Sequence, residues 1–309
     1  MLLIDAGRSE FGWSRIGQFT KCPQLYAYQQ IIGLDLIPAS ALTRGSMGHI
    51  LQAHLHAIWG AQQGGVWVDD KFVTDPDIIM EPVEAVHAWC DINGGHEYID
   101  RMVDTYHHYL EQHPEPPGKI VAVEFPISAI IGKVKGKWGL WVEQDGVDIE
   151  PSPLNSPGHP RHGEPIRLTR RLDMVVQDRM GHVYIWDHKH QARVSPGRSV
   201  DAYAIDGGFA AFRIMGRQLY PNFRGLILNL IQTQAPWKVA RPIVPPTPHR
   251  DNHFAELLWH AEHHLASLEI SQPDPWRWPK AMHETACYGR YGPCSGLKCC
   301  QYGKRGLDI

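Results

Sequence analysis

The chain has 309 residues, 43% of them hydrophobic and 20% charged, with a net charge of −3 and a pI near 6.7. That composition supplies enough apolar surface for a substantial core and excludes a disordered or collagen-like chain. No apolar run of about 18 residues occurs, so a membrane span is not expected; the slightly negative balance argues against a protein that coats nucleic acid nonspecifically, while leaving room for a local basic channel.

The start, Met1-Leu2-Leu3-Ile4-Asp5, carries no hydrophobic leader, because an acid interrupts the run. An intracellular, reducing compartment is therefore expected. Ser14 caps a helix through Gln18, and Pro23 opens the next turn toward Gln30. Ser46 is placed as a second N-cap, with Ile50, Leu51, Leu55 and Ile58 forming the apolar stripe of an amphipathic helix and His49 in its first turn. His54 and His56 cannot share a helix face, so no separate zinc site is expected there. From Pro82 to Gln112 the pattern is helical, broken at Asn93-Gly94-Gly95, and its Trp89, Tyr98, Met102, Tyr106 and Tyr109 read as packing residues. Strands follow near 119–129 and 137–143. Pro151, Pro153, Pro157, Pro160 and Pro165 then punctuate a polar loop, either a fence beside a cleft or a disordered segment.

A β-hairpin comes next. Arg170-Arg171-Leu172-Asp173-Met174-Val175-Val176 and Val183-Tyr184-Ile185-Trp186-Asp187-His188-Lys189 flank a turn at Arg179-Met180-Gly181. That turn sets Asp173 opposite Asp187; a two-residue turn at Met180-Gly181 would set Asp173 opposite His188. Two facing carboxylates repel each other, and a divalent metal between them is the simplest reason for the arrangement. Lys189 falls on the same strand face as Asp187. Two acids and an amine on one surface outline a phosphodiester-cleaving site; the alternative is a solvated Asp187–Lys189 ion pair worth about 0–1 kcal/mol. Arg167, Arg170, Arg171, Lys189, Arg193 and Arg198 form a candidate basic strip around it. A helix over Ala202–Leu219, a strand over Arg224–Ile231, a Pro242–Pro248 connector and a helix over Asn252–Leu268 complete the pattern.

Cys22 near the start and Cys287, Cys294, Cys299 and Cys300 near the end read as a metal site or as disulfides. A reducing compartment favours metal. Cys90, in Ala88-Trp89-Cys90, reads as an ordinary buried cysteine.

Leu172-Asp173 followed by Asp187-x-Lys189 resembles the bipartite core of the PD-(D/E)XK nuclease superfamily. Arg44-Gly45-Ser46-Met47-Gly48-His49 resembles the Gly-x-x-x-His element upstream of that core in its RecB-like branch. The resemblance implies a restriction-endonuclease-like α/β fold, with a mixed central sheet flanked by helices and a helical insertion. It implies that Asp173 and Asp187 ligate Mg²⁺ or Mn²⁺, that His49 adds a ligand from a helix, and that Lys189 orients or activates the attacking water. Glu124, in Ile120-Val121-Ala122-Val123-Glu124-Phe125, resembles the acid often found ahead of the core Asp. Where RecB-like relatives carry Gln-x-x-x-Tyr, this chain has Gly208-Phe-Ala-Ala-Phe212.

The Cys-Pro-x-x-Tyr at Cys22 together with the C-terminal cysteines resembles the iron–sulfur subgroup of RecB-like nucleases, which includes CRISPR-associated exonucleases and phage relatives. Carried over, Cys22, Cys287, Cys294 and Cys300 would hold a [4Fe–4S] cluster stapling the chain ends, with Cys299 as the alternative to Cys300. The Cys287-x₆-Cys294 gap is wider than the CRISPR-associated spacing and points to a phage-type relative or to Zn²⁺.

The expectation is one nuclease domain over 1–309: N-terminal helices to 60, a helical insertion over 61–118, the nuclease core over 119–235, and a C-terminal helix with the cysteine tail over 236–309. The expected activity is metal-dependent hydrolysis of DNA, from an end and on single strands, with DNA and other DNA-processing proteins as partners and no membrane. The alternatives are a non-catalytic iron–sulfur or zinc nucleic-acid-binding subunit and a zinc-stapled α/β protein unrelated to nucleases.

Overall fold

The hairpin forms with the register that the three-residue turn requires. Strands β6 (Arg167–Gln177) and β7 (Val183–Gln191) are antiparallel, pairing Met174 with Trp186 through Gln177 with Val183. The Asp178 amide donates to the His182 carbonyl at 2.9 Å, and the Asp178 carboxylate accepts from the Met180 and His182 amides. Gly181 takes the positive φ of 82° that closes the turn. The computed structural model describes residues 1–4, 11–34, 40–281, 287–289, 292–302 and 304. Asp5, which breaks the apolar start of the sequence, lies outside them.

Around this hairpin the other strands build a mixed sheet. Strand β8 (Phe223–Gln232) runs parallel to β7, and β10 (Ile243–Val244) pairs antiparallel on its far side. On the other flank come β3 (Lys119–Val134), then β1 (Val66–Val68) parallel to it, then β2 (Lys71–Val73) antiparallel at the edge. The order is β10-β8-β7-β6-β3-β1-β2; β4 (Lys137–Val142) and β5 (Glu150–Pro151) also pair with β3, and β9 (Val239–Ala240) with β8. A parallel pair needs a crossover, and helices α6 (Pro196–Ala204) and α7 (Gly207–Leu219) supply it between β7 and β8. The single helix expected over Ala202–Leu219 is therefore two. Asp206 breaks it by capping α7, its carboxylate accepting from the Gly208 and Phe209 amides.

By contacts the chain divides into two compact units. One comprises Met1–Glu10, Leu42–Ser128 and Thr169–Asp251; the other comprises Phe11–Ala41, Ala129–Leu168 and Asn252–Ile309. In the first, helix α3 (Ser40–Gln62) is the organising element. Its Ala53, Ala57 and Ala61 lie against Val66, Val68, Ile120, Val123, Met174, Val176 and Trp186 of the sheet. Its Met47, Ile50, Leu51 and Leu55 pack on α4 (Pro82–Asn93) and α5 (Ile99–Gln112), where Cys90, Met102, Tyr106 and Tyr109 are buried. A helix covered on both sides must be apolar nearly all round. Ser46 is not its cap: the helix begins at Ser40, so His49 lies in its interior. On the opposite sheet face, Ile185 and Phe223 approach Gly216 of α7.

In the second unit, α1 (Trp13–Lys21) and α2 (Pro23–Tyr26) are followed by a π-helical turn, Ala27–Ile31. Ser14 lies inside α1, and Gly12 takes the N-cap position. The long helix α8 (Pro248–Ser271) carries the unit's buried acid, Glu262, paired with Arg15 and, at 3.6 Å, with Arg161. The proline-rich loop is ordered on this helix. His159 meets Glu269 at 2.6 Å, the Asn155 amide donates to His263, and Pro153 bridges Pro165.

Candidate active site

Asp173 and Asp187 stand where the β6–β7 ladder ends. The last ladder pair is Met174 with Trp186, and one step further the same register sets the two acids opposite each other. The His188 amide donates to Asp173 Oδ2 at 2.7 Å. Lys189 Nζ lies 2.5 Å from Asp187 Oδ2, as two residues of one strand face should.

Two further side chains reach Asp173. His49 comes from α3 with Nδ1 at 3.4 Å from Asp173 Oδ2. Glu124 comes from β3, where alternation fails: Ala122, Val123 and Glu124 are all buried in succession, and Glu124 has a φ of +47°. A left-handed residue in mid-strand re-aims its side chain at a cost of about 1–3 kcal/mol, a strain found most often at functional sites. Ligand atoms of His49, Glu124 and Asp173 all lie within 4.8 Å of one another.

The electrostatics suit a cation site. Burial pushes both carboxyls upward; Lys189 counteracts this at both, and Asp173 adds to the rise at Asp187. Burial and then Lys189 hold His49 down at about 4, so near neutral pH its imidazole is uncharged and free to ligate. Burial alone would lower Lys189, but Asp187 and Asp173 outweigh it and keep the ammonium protonated. Two carboxylates and a neutral imidazole form an oxygen-rich donor set that fits Mg²⁺ or Mn²⁺.

Residues 10–292 match the family model of the PD-(D/E)XK nuclease superfamily. The chain belongs to that superfamily. A search of curated proteins returns no match. Membership makes the protein a metal-dependent nuclease, that is, a phosphodiester hydrolase, of a family that generally uses Mg²⁺ or Mn²⁺ and has DNA as its suggested substrate. Its mixed sheet with helices on both faces is the restriction-endonuclease-like architecture of this family. Among the described residues no helix is long and apolar enough to cross a membrane.

The glycine that α3 of this nuclease requires is Gly48. A β-carbon there would fall 2.4 Å from the His190 ring, whereas one at Gly45 would meet nothing within 4 Å. Gly48 thus lets α3 approach β7 closely beside His49.

Behind the acids lies a layer that sequence patterns did not single out. His188 stacks on His56 with ring centroids 4.9 Å apart, and the Asn229 amide is 2.9 Å from His188 Nδ1. Arg241 donates to Tyr109 Oη at 3.0 Å and to Asn229 Oδ1 at 3.4 Å. His56, His188 and Asn229 are buried, with burial holding His56 down at about 3. The available signal was composition: Asp187-His188-Lys189-His190-Gln191 is too polar for an interior strand unless its groups are partnered. Tyr203 of α6 places its ring 5.7 Å from Lys189 Nζ, and Arg170 stacks on Phe212 at 4.2 Å while interacting electrostatically with Asp187, Asp206 and Asp173. The basic strip is divided. Arg167 pairs with Glu143 and Arg171 with Asp69, Lys189 is held by Asp187, and Arg193 and Arg198 are exposed.

Five of the six cysteines, all but Cys90, lie in the second unit. Cys22 follows α1, Cys287 and Cys294 bracket a hairpin with the Cys294 amide 2.6 Å from the Cys287 carbonyl, and Cys300 lies in a short helix, Leu297–Tyr302. Burial raises the Cys294 and Cys300 thiols; among the further causes, Cys22 and Cys287 act on Cys294, and Tyr28, Cys22 and Cys294 on Cys300. Cys299 is 3% exposed, and burial raises its thiol. All six cysteines are free.

Proposed function

We propose that the protein is an exonuclease of the RecB-like, iron–sulfur branch, hydrolysing single-stranded DNA from an end with Mg²⁺ or Mn²⁺. The observation that carries the reading is the meeting of His49, Glu124 and Asp173 within 4.8 Å beside the Asp187–Lys189 pair. His49, Glu124, Asp173 and Asp187 would hold the metal, which when bound polarises the scissile phosphate and lowers the pKa of water. The chain's own contribution is charge and position. Lys189, kept protonated by the acids, donates a hydrogen bond that orients the attacking water and offsets charge growing on the phosphate oxygens. An ammonium so held does not take the water's proton. Buried His188 and Trp186 exclude bulk water from one side of the acids.

For the second centre, the influence of Cys22 and Cys287 on Cys294, and of Cys22 and Cys294 on Cys300, supports one four-thiolate site at Cys22, Cys287, Cys294 and Cys300, with Cys299 as the alternative to Cys300. Four sulfurs fit [4Fe–4S], and equally Zn²⁺. Free clustered thiols accord with a reducing, intracellular setting, and partners would be DNA and other DNA-processing proteins. The second reading, a nucleic-acid-binding subunit without catalysis, gives no reason for the strained backbone that aims Glu124 at Asp173.

The test is an anaerobic assay of the purified protein on 5′- and 3′-labelled single and double strands with Mn²⁺. Stepwise shortening of single strands supports the proposal; absence of any metal-dependent product contradicts it. A brown solution absorbing near 400 nm, in the range of iron–sulfur charge transfer, supports the cluster, and a colourless zinc protein refutes it.

A further inference from the structure

Strands β1 and β2 expose aromatic rings where a sheet edge ordinarily carries charge. Val66 and Val68 are buried against α3, and alternation turns Trp67 to the other face, where it is 43% exposed. Its cross-strand partner Phe72 is 56% exposed. The two rings lie 5.4 Å apart, and Trp67 also meets Phe125 at 6.4 Å, so three rings form one patch. Clustered exposed apolar surface of this kind marks an interaction site.

Three observations identify the occupant. The patch is continuous with the candidate active site: Phe125 directly follows Glu124, and β1 pairs Trp67 with Ala122 and Val68 with Val123. All of its large exposed side chains are flat aromatics, which offer π-faces to a planar ligand. Two acids stand at the turn, Asp69, paired with Arg171 at 2.9 Å, and exposed Asp70, which neighbouring exposed Lys71 offsets, so the turn carries no net negative charge against a phosphate backbone. We infer that Trp67, Phe72 and Phe125 form a stacking platform for the unpaired bases of single-stranded DNA running past the acids. This rests on the nuclease reading and deepens it: in a duplex the bases are stacked on one another, so the platform selects single strands without reading sequence.

Binding of an oligothymidylate of about 20 nucleotides to the full-length protein, followed by anisotropy with Ca²⁺ in place of Mg²⁺, tests it against an abasic strand of equal length. Trp67→Ala should weaken oligothymidylate binding roughly tenfold or more, and Phe72→Ala likewise. Trp67→Phe should restore most of the loss, and all forms should bind the abasic strand equally. Turnover of bis(p-nitrophenyl) phosphate, which has no base, should be the same in wild type and Trp67→Ala. Unchanged oligothymidylate binding in both alanine variants, or an equal loss on the abasic strand, overturns the platform and leaves the edge to a protein partner. Because binding is read without cleavage, a protein that shows the base-dependent loss but hydrolyses no diester keeps the platform and refutes the nuclease reading.

Discussion

Replacing Asp173 by its amide separates charge from shape, since the asparagine side chain keeps an oxygen for the His188 amide. The folded-state pKa of Asp173 is raised by burial, so its contribution to stability is present in acid and is lost as pH rises through the shifted range. Asp173→Asn should therefore raise the melting temperature of the metal-free protein near neutral pH, and the gain should vanish on acidification into the ordinary carboxylate range. An equal or lower melting temperature at neutral pH contradicts the burial argument. Lys189→Ala should leave Mn²⁺ affinity near wild type and cut turnover about 10²–10³-fold; equal losses in both would make the residue structural. At Glu124 two variants divide its duties. Glu124→Gln keeps the positive φ and should raise the Mn²⁺ requirement, whereas Glu124→Gly should do the same while stabilising the metal-free fold by about 1 kcal/mol. Measuring melting temperature and metal dependence together checks both. The pairing of Asp173 with Asp187 was legible because strand arithmetic needs only a turn. The left-handed backbone at Glu124 was not, because Val-Glu-Phe carries no glycine or asparagine to announce it.

Helix α3 shows the same division at the scale of an element. Its apolar stripe was readable, but its start was not: Ser46 matches a capping residue, yet the helix runs back to Ser40, with Thr43 beside Gly95 and Arg44 over the Tyr98 ring. The two glycines of its motif also differ in a way that spacing cannot tell. Gly48→Ala should destabilise the protein by about 1–3 kcal/mol through the clash with His190, while Gly45→Ala should stabilise it by about 0.5–1 kcal/mol through helix propensity. Thermal or urea unfolding of the two variants reads this directly, and equal effects would refute the close approach of α3 to β7. The break between α6 and α7 was hidden for a related reason: an aspartate between two helical patterns is a cap only when the chain turns there.

For the whole molecule, the fold class followed from the resemblance carried by Leu172-Asp173, Asp187-x-Lys189 and the Gly45–His49 element, whereas the His56–His188–Asn229–Tyr109–Arg241 layer depends on three-dimensional proximity of distant segments. A metal held by Cys22, Cys287, Cys294 and Cys300 would join the first tenth of the chain to the last, and a crosslink over so long a loop removes about 4–5 kcal/mol of unfolded-chain entropy by analogy with disulfides. Cys22→Ser should then empty the site and lower the melting temperature sharply, with Cys299→Ser nearly silent; a full metal complement in Cys22→Ser would show that the termini are not joined. None of this substitutes for the chemistry itself. The direct measurement is the initial rate of nucleotide release from an end-labelled single strand as Mn²⁺ is titrated into wild type and Asp173→Asn in parallel. Saturable, metal-dependent release by the wild type and none by the variant is the result expected of a cation held by His49, Glu124, Asp173 and Asp187. Equal rates in the two proteins would place the chemistry elsewhere and contradict the account.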